Sequence, residues 1–191
     1  LIAIDVINAS NGSIALLELA YLIPFVLLGL PAGALLDRRT RRPVLIATDI
    51  ARTGLLLIVP ICYVLNILSM PILLVVLFLI GACSLLYDVA HQSYLPAILR
   101  GPQLGVANGR LMAMESVTGV AGPALAGIAV ARFSGPIALV VDSLSFLASA
   151  LMVQRVRHVE QEPTFTEQEV EDRSLWREMR EGLAWVMQHP H

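Results

Sequence analysis

The chain has 191 residues, 57% of them hydrophobic and 15% charged, with a formal net charge of −2 and a mean hydropathy of +0.74. A soluble domain is about 45–50% apolar and about 25% charged, so this composition excludes an ordinary soluble domain and marks an integral membrane protein. Its apolar runs are continuous and do not alternate, which excludes a barrel and leaves helices, the elements that satisfy their own backbone in lipid.

The sequence reads as cut at both ends. It starts at Leu1 without Met and stops at His189-Pro190-His191. Leu1 to Asn8 is apolar but too short to cross a bilayer at ~1.5 Å per residue. It has no basic start and no cleavage site, so it reads as the outer end of a first span (1–8) and not as a signal peptide. Asn8 to Ser13 is a polar outer turn, and Ser13 is predicted to cap the next helix. The second span covers 14–36 and contains Pro24 and Pro31, which remove backbone donors and permit kinks. Gly29 and Gly33 form a small-xxx-small pair that lets another helix come close.

A charged knot follows, Gly33-Ala-Leu-Leu-Asp37-Arg38-Arg39-Thr-Arg41-Arg42-Pro43. Four Arg within five positions cannot sit in lipid, and Arg clustered beside a span marks the cytoplasmic side. The third span covers 43–65, with Pro43 at a first helical position, where its missing N–H costs nothing. Asp49 and Arg52 are three residues apart on one face and are predicted to pair with each other or with the Arg loop. After an outer turn over 66–71, the fourth span covers 72–87 and ends at Asp88. The stretch 88–110 is less apolar, is broken by Pro96, Gly101 and Pro102, and reads as an inner-face connector. The fifth span covers 111–131 and the sixth 137–153. Arg38, Arg39, Arg41, Arg42, Arg100, Arg110, Arg155 and Arg157 then fall on one side and Arg132 on the other, in agreement with the alternation of the spans. Residues 154–191 form a charged cytoplasmic loop. Its acidic part is followed by an amphipathic helix over about 174–188, in which Leu175, Trp176, Met179, Leu183 and Val186 recur at helical spacing.

The pattern Gly-x-x-x-Asp-Arg-x-x-Arg-Arg between a second and a third span resembles the signature loop of the major facilitator superfamily, with Thr40 in place of the usual second glycine. Within it, the chain resembles the branch of drug and siderophore exporters that includes macrolide-efflux and enterobactin-export proteins. The resemblance implies that Gly33, Asp37, Arg38, Arg41 and Arg42 form a conformational latch. Asp37 would pair across to another half of the transporter and Arg41 to an acid at the end of span four, where Asp88 stands. A knot that served only as a topology anchor would need no carboxylate, whereas Asp37 beside Arg38 can build a charge-assisted network. A second stretch, Gly119-Val-Ala-Gly122-Pro123-Ala-Leu-Ala-Gly127, resembles the glycine-proline motif of antiporters in the same superfamily. Pro123 leaves the Gly119 carbonyl without its helical partner, and the small residues make a face for close packing, in the plainest reading against span two.

Acids inside spans are costly and usually functional. Asp49, Asp88 and Glu115 lie toward the inner face; Asp5, Glu18 and Asp142 lie toward the outer face. Glu18 and Glu115 are the candidates for proton coupling, with Tyr21 and Phe25 as candidate walls of a substrate cavity. Cys62 and Cys83 read as small buried hydrophobes without metal or disulfide spacing. No phosphate loop, metalloprotease motif or nucleophile elbow occurs, so no enzyme, cofactor or metal is expected, and the short membrane-flanked Arg knot gives a nucleic-acid role no support. The expected fold is an all-α membrane bundle, the N-terminal six-helix half of a twelve-helix transporter built of two inverted three-helix repeats. The expected partners are the lipid bilayer, a small apolar or amphipathic substrate such as a drug or siderophore, and the missing C-terminal half. Proton antiport is implied by the resemblance. The rival reading is a non-transporting helical membrane scaffold or assembly protein, which would need neither loosened helices nor a mixed-charge latch.

Overall fold

The computed structural model describes residues 10–37, 40–99, 102–133 and 135–156. The partial first span expected over 1–8, and the central loop beyond 156 with its amphipathic helix, lie outside the described residues. Five helices follow in order: α1 (Asn11–Asp37), α2 (Arg41–Val64), α3 (Met70–Ile98), α4 (Pro102–Phe133) and α5 (Gly135–Arg155). All five are long and apolar enough to cross a membrane.

The helix ends follow local chemistry. Ser10, not Ser13, caps α1: its hydroxyl accepts the Ser13 N–H at 3.3 Å, and its carbonyl takes the Ile14 N–H at 3.1 Å. The two serines are three apart, and the earlier one holds the capping geometry, which satisfies an N–H that has no acceptor inside the helix. Pro24 and Pro31 both sit inside α1, which stays one helix. α2 starts at Arg41, so Pro43 is third in the helix, still within the first turn, where a missing N–H costs no hydrogen bond. At the far end Asn66 takes a left-handed φ of 56°. Its N–H reaches the Tyr63 carbonyl and the Ile67 N–H reaches that of Cys62, both at 3.0 Å. This double closure satisfies the last carbonyls and stops the helix, and Asn is among the few side chains that tolerate such a φ.

α3 continues beyond the expected end of its span to Ile98, for 29 residues in all. At ~1.5 Å per residue this is ~44 Å, well over the ~30 Å of hydrocarbon. Its polar end around His91, Gln92 and Ser93 is helical as well.

The helices pack in the sequence α1, α3, α2, α5, with α4 leaning chiefly on α5. Two buried clusters mark the two ends of the bundle. One joins Leu17, Val59, Leu73 and Val76. The other joins Leu36, Leu45, Ala90 and Tyr94, with Val153 packed against it. The second cluster gathers the end of α1, the start of α2, the late part of α3 and the end of α5, so these four meet at one face. α1 and α3 come closest at Gly81, where a Cβ would overlap the backbone carbonyl of Tyr21. The small-residue pair predicted to make such an approach, Gly29 and Gly33, has nothing among the described residues within 4 Å of a Cβ position.

Candidate functional site

The loop end of the bundle is built from the first turn of α2 upward. Arg42 reaches across to the end of α5. Its Nε donates to the Val153 carbonyl at 3.3 Å and its Nη2 to the Gln154 carbonyl at 2.5 Å. The Val153 carbonyl also takes the Val156 N–H, at 3.2 Å, and a cation at a helix C-terminus meets the negative end of the helix dipole. Gly33 lies in the last turns of α1 and Asp37 closes that helix. The expectations for Arg38 and for the Asp37 carboxylate lie outside the described residues. Arg41 opens α2. Asp88 lies exposed on α3.

Deeper in α2, Asp49 and Arg52 pair with each other. Arg52 Nη2 is 2.7 Å from Asp49 Oδ1, and both side chains are buried. The Arg52 guanidinium carbon lies 4.3 Å from the centre of the Tyr87 ring on α3 and 4.6 Å from that of Phe146 on α5. One buried cation thus joins three helices through one ion pair and two aromatic faces. Thr53 adds a fourth tie, since its hydroxyl lies 2.8 Å from the Asp49 carbonyl and 3.3 Å from that of Ser143 on α5. His91 stacks on Tyr87 with ring centres 5.6 Å apart and planes at 10°. The pairing of Asp49 with Arg52 is readable from their spacing. The aromatic neighbours are not, because Tyr87 and Phe146 are distant in sequence from Arg52 and from each other.

On α1, away from the loop end, Glu18 and Tyr21 line a shallow cavity of about 360 Å³ together with Leu17 and Leu77. Phe25 joins Tyr21 one turn further on, with ring centres 5.7 Å apart at 48°. These three candidates therefore share one helix surface. Glu115 stands apart from them on α4, exposed, and its carbonyl accepts from the Thr118 hydroxyl at 3.1 Å.

The α4 motif behaves differently from its expectation within the described residues. No residue in the apolar span of α4, Gln103–Arg132, is buried. A Cβ at Gly119, Gly122 or Gly127 would meet nothing within 4 Å. Close packing of this face on α1, the second span, is not made. The physical reason is position, since α4 leans chiefly on α5 and a cavity separates its small residues from Leu17 of α1. Pro123 lies inside α4, which remains one helix. Gly122 and Ala126 instead form one wall of a cavity of about 760 Å³, faced by Leu56, Val76, Asp142 and Ser145. Among the described residues no group of acidic, His and Cys side chains is arranged to hold a metal ion.

Comparison with known proteins adds a separate line of argument. The family model described as Major Facilitator Superfamily matches residues 2–187. Macrolide efflux protein A of Streptococcus pyogenes is 24% identical, over 96% of this chain and 45% of the relative. A protein of the same description from Streptococcus pyogenes serotype M6 has the same identity and coverage. The chain thus spans a little under half the length of the curated relatives it matches. No solved structure matches it.

Proposed function

This chain belongs to the Major Facilitator Superfamily, and we propose that it forms the N-terminal six-helix half of a twelve-helix exporter that moves small apolar or amphipathic molecules out of the cell. The alignment with macrolide efflux protein A carries this reading, since it takes in nearly the whole chain and 45% of the relative. Membership in this family speaks for a transporter and against an enzyme. The match to an efflux protein favours macrolide-like cargo.

The mechanism we propose is alternating access driven by proton antiport. The loop Gly33, Asp37, Arg38, Arg41 and Arg42, with Asp88, latches the inner end of the bundle and opens as the two halves rock. Support for the latch comes from Arg42, which ties the start of α2 to the last carbonyls of α5 and so lets a change at the loop be felt three spans later. Tyr21, Phe25 and Glu18 lie on one surface of α1 and are suited to line a cavity for an apolar molecule with a polar edge. Gly119, Gly122, Pro123 and Gly127 present a face open to another helix, and Glu115 on α4 remains a candidate for proton coupling. The protein would reside in the plasma membrane as a multi-pass protein, with loops 37–42 and 88–110 and residues 154–191 in the cytoplasm, as the Arg asymmetry indicates.

The test is accumulation of a radiolabelled macrolide by cells that express the full-length protein. The expected result is lower steady-state accumulation than in cells with an empty vector, restored by a protonophore. Equal accumulation with the protein present in the membrane would refute export of this cargo.

A further inference from the structure

The buried charges of α2 have no part in the transport cycle described above. Asp49 is 1% exposed and Arg52 6%. Counted from Arg41 at ~1.5 Å per residue, they stand ~12 Å and ~17 Å along the helix, inside a hydrocarbon layer of ~30 Å. Ionisable groups at that depth are rare and costly, and they tend to mark ion or proton pathways.

The pair is incompletely satisfied. Arg52 Nη2 occupies Asp49 Oδ1, but Asp49 Oδ2 and Arg52 Nε have no hydrogen-bond partner among the described residues. The nearby hydroxyls are spent elsewhere, with Thr48 donating to the Val44 carbonyl and Ser143 to that of Val140. A bare carboxylate oxygen in a medium of low dielectric is the atom that gains most from a proton. Ordinarily the partner cation forbids this step, because it would be left buried and unpaired. Arg52 is not left so. Its guanidinium carbon lies 4.3 Å from the Tyr87 ring centre and 4.6 Å from that of Phe146, and ring faces hold a cation without a carboxylate.

We propose that Asp49 is the proton-exchange site of this transporter, its free Oδ2 taking up and releasing one proton while Arg52 stays charged against the Tyr87 and Phe146 rings. In the uptake step one O–H bond forms at Oδ2, a hydronium ion is consumed, and Asp49 passes from carboxylate to neutral acid. Release reverses it. The groups around the pair come from both packed neighbours. On α3, Cys83, Tyr87 and Asp88 feel the Arg52 charge and His91 stacks on Tyr87. On α5, Asp142 feels it too. Asp88 and His91 continue the line of ionisable groups from Arg52 toward the Arg-loop end, which gives the proton a polar approach from that face. The inference rests on the reading of the chain as half of a proton-coupled exporter, and it places the coupling on α2 rather than on Glu18 or Glu115.

The test is the infrared carbonyl band of protonated carboxylic acids, recorded as the difference between acidic and alkaline pH on the full-length protein in phospholipid vesicles. The parent should show such a band. Asp49→Asn should remove one component of it, while Glu18→Gln and Glu115→Gln leave that component in place. A band unchanged in Asp49→Asn, or absent from the parent, overturns the proposal. A second variant guards against misfolding of the first. Arg52→Gln keeps the carboxyl and removes its counter-charge, so the component should persist at proton concentrations at least tenfold lower than in the parent. A component that does not move overturns the proposal equally. The band needs no cargo, so a parent that shows it and yet exports nothing would remove the exporter reading and leave the assignment to Asp49 standing.

Discussion

Arg42, in the first turn of α2, donates through Nε to the carbonyl of Val153 near the end of α5, at 3.3 Å. Its Nη2 serves the next carbonyl, that of Gln154. Two helices far apart in sequence are thereby closed at the same end, and the closure is made by a residue of the charged loop.

The first prediction follows from that contact. Arg42→Ala should remove a charged donor from the Val153 and Gln154 carbonyls and lower stability by ~1–3 kcal/mol. Arg42→Lys should fall between Ala and the parent, because a point charge replaces a fork but still faces the helix dipole. The thermal unfolding midpoint of the full-length protein in detergent is the measurement. Equal midpoints for Arg42→Ala and the parent would mean that the contact carries no stability.

The second prediction ranks two glycines. Gly81→Ala places a methyl group against the Tyr21 backbone, so α1 and α3 must separate, at ~1–3 kcal/mol for overpacking a tight contact. Gly122→Ala adds a methyl group to open space and should change stability by less than ~0.5 kcal/mol. The readout is again the unfolding midpoint. If Gly122→Ala proved the more damaging, the α4 face would be occupied by a part of the protein outside the described residues.

The difference between these two glycines shows what sequence can and cannot disclose. Five of the apolar runs coincide with the five described helices, although α3 and α4 take in most of the stretch 88–110 that reads as a connector. The sequence does not disclose the direction of a residue inside such a run. α3 is apolar on every side, so nothing in its pattern sets Gly81 apart, whereas Gly119-Val-Ala-Gly122-Pro123 is conspicuous by composition and yet meets no neighbour among the described residues. Spacing of three brought Asp49 and Arg52 together on one helix face. Their aromatic neighbours come from two other helices, so only the packing reveals them. The Ser10 cap is a smaller instance, since two serines three apart offer equal chemistry and the backbone decides between them.

The third prediction is topological. Thr40→Cys, between α1 and α2, should react with a membrane-impermeant maleimide only when the inner face is opened. Asn66→Cys, in the exposed turn after α2, should react in intact cells. The basis is the Arg asymmetry and the shared end of α1, α2 and α5. Labelling of Thr40→Cys in intact cells would reverse the orientation.

The most direct test of proton-coupled export through a latched half is uptake of a radiolabelled macrolide into inside-out vesicles with an acid lumen, comparing the full-length parent with Asp37→Asn at equal protein level. The parent should accumulate the macrolide, lose the accumulation when a protonophore is added, and fall several-fold when Asp37 loses its charge. Accumulation that ignores the protonophore, or that is as high in Asp37→Asn as in the parent, would contradict the account.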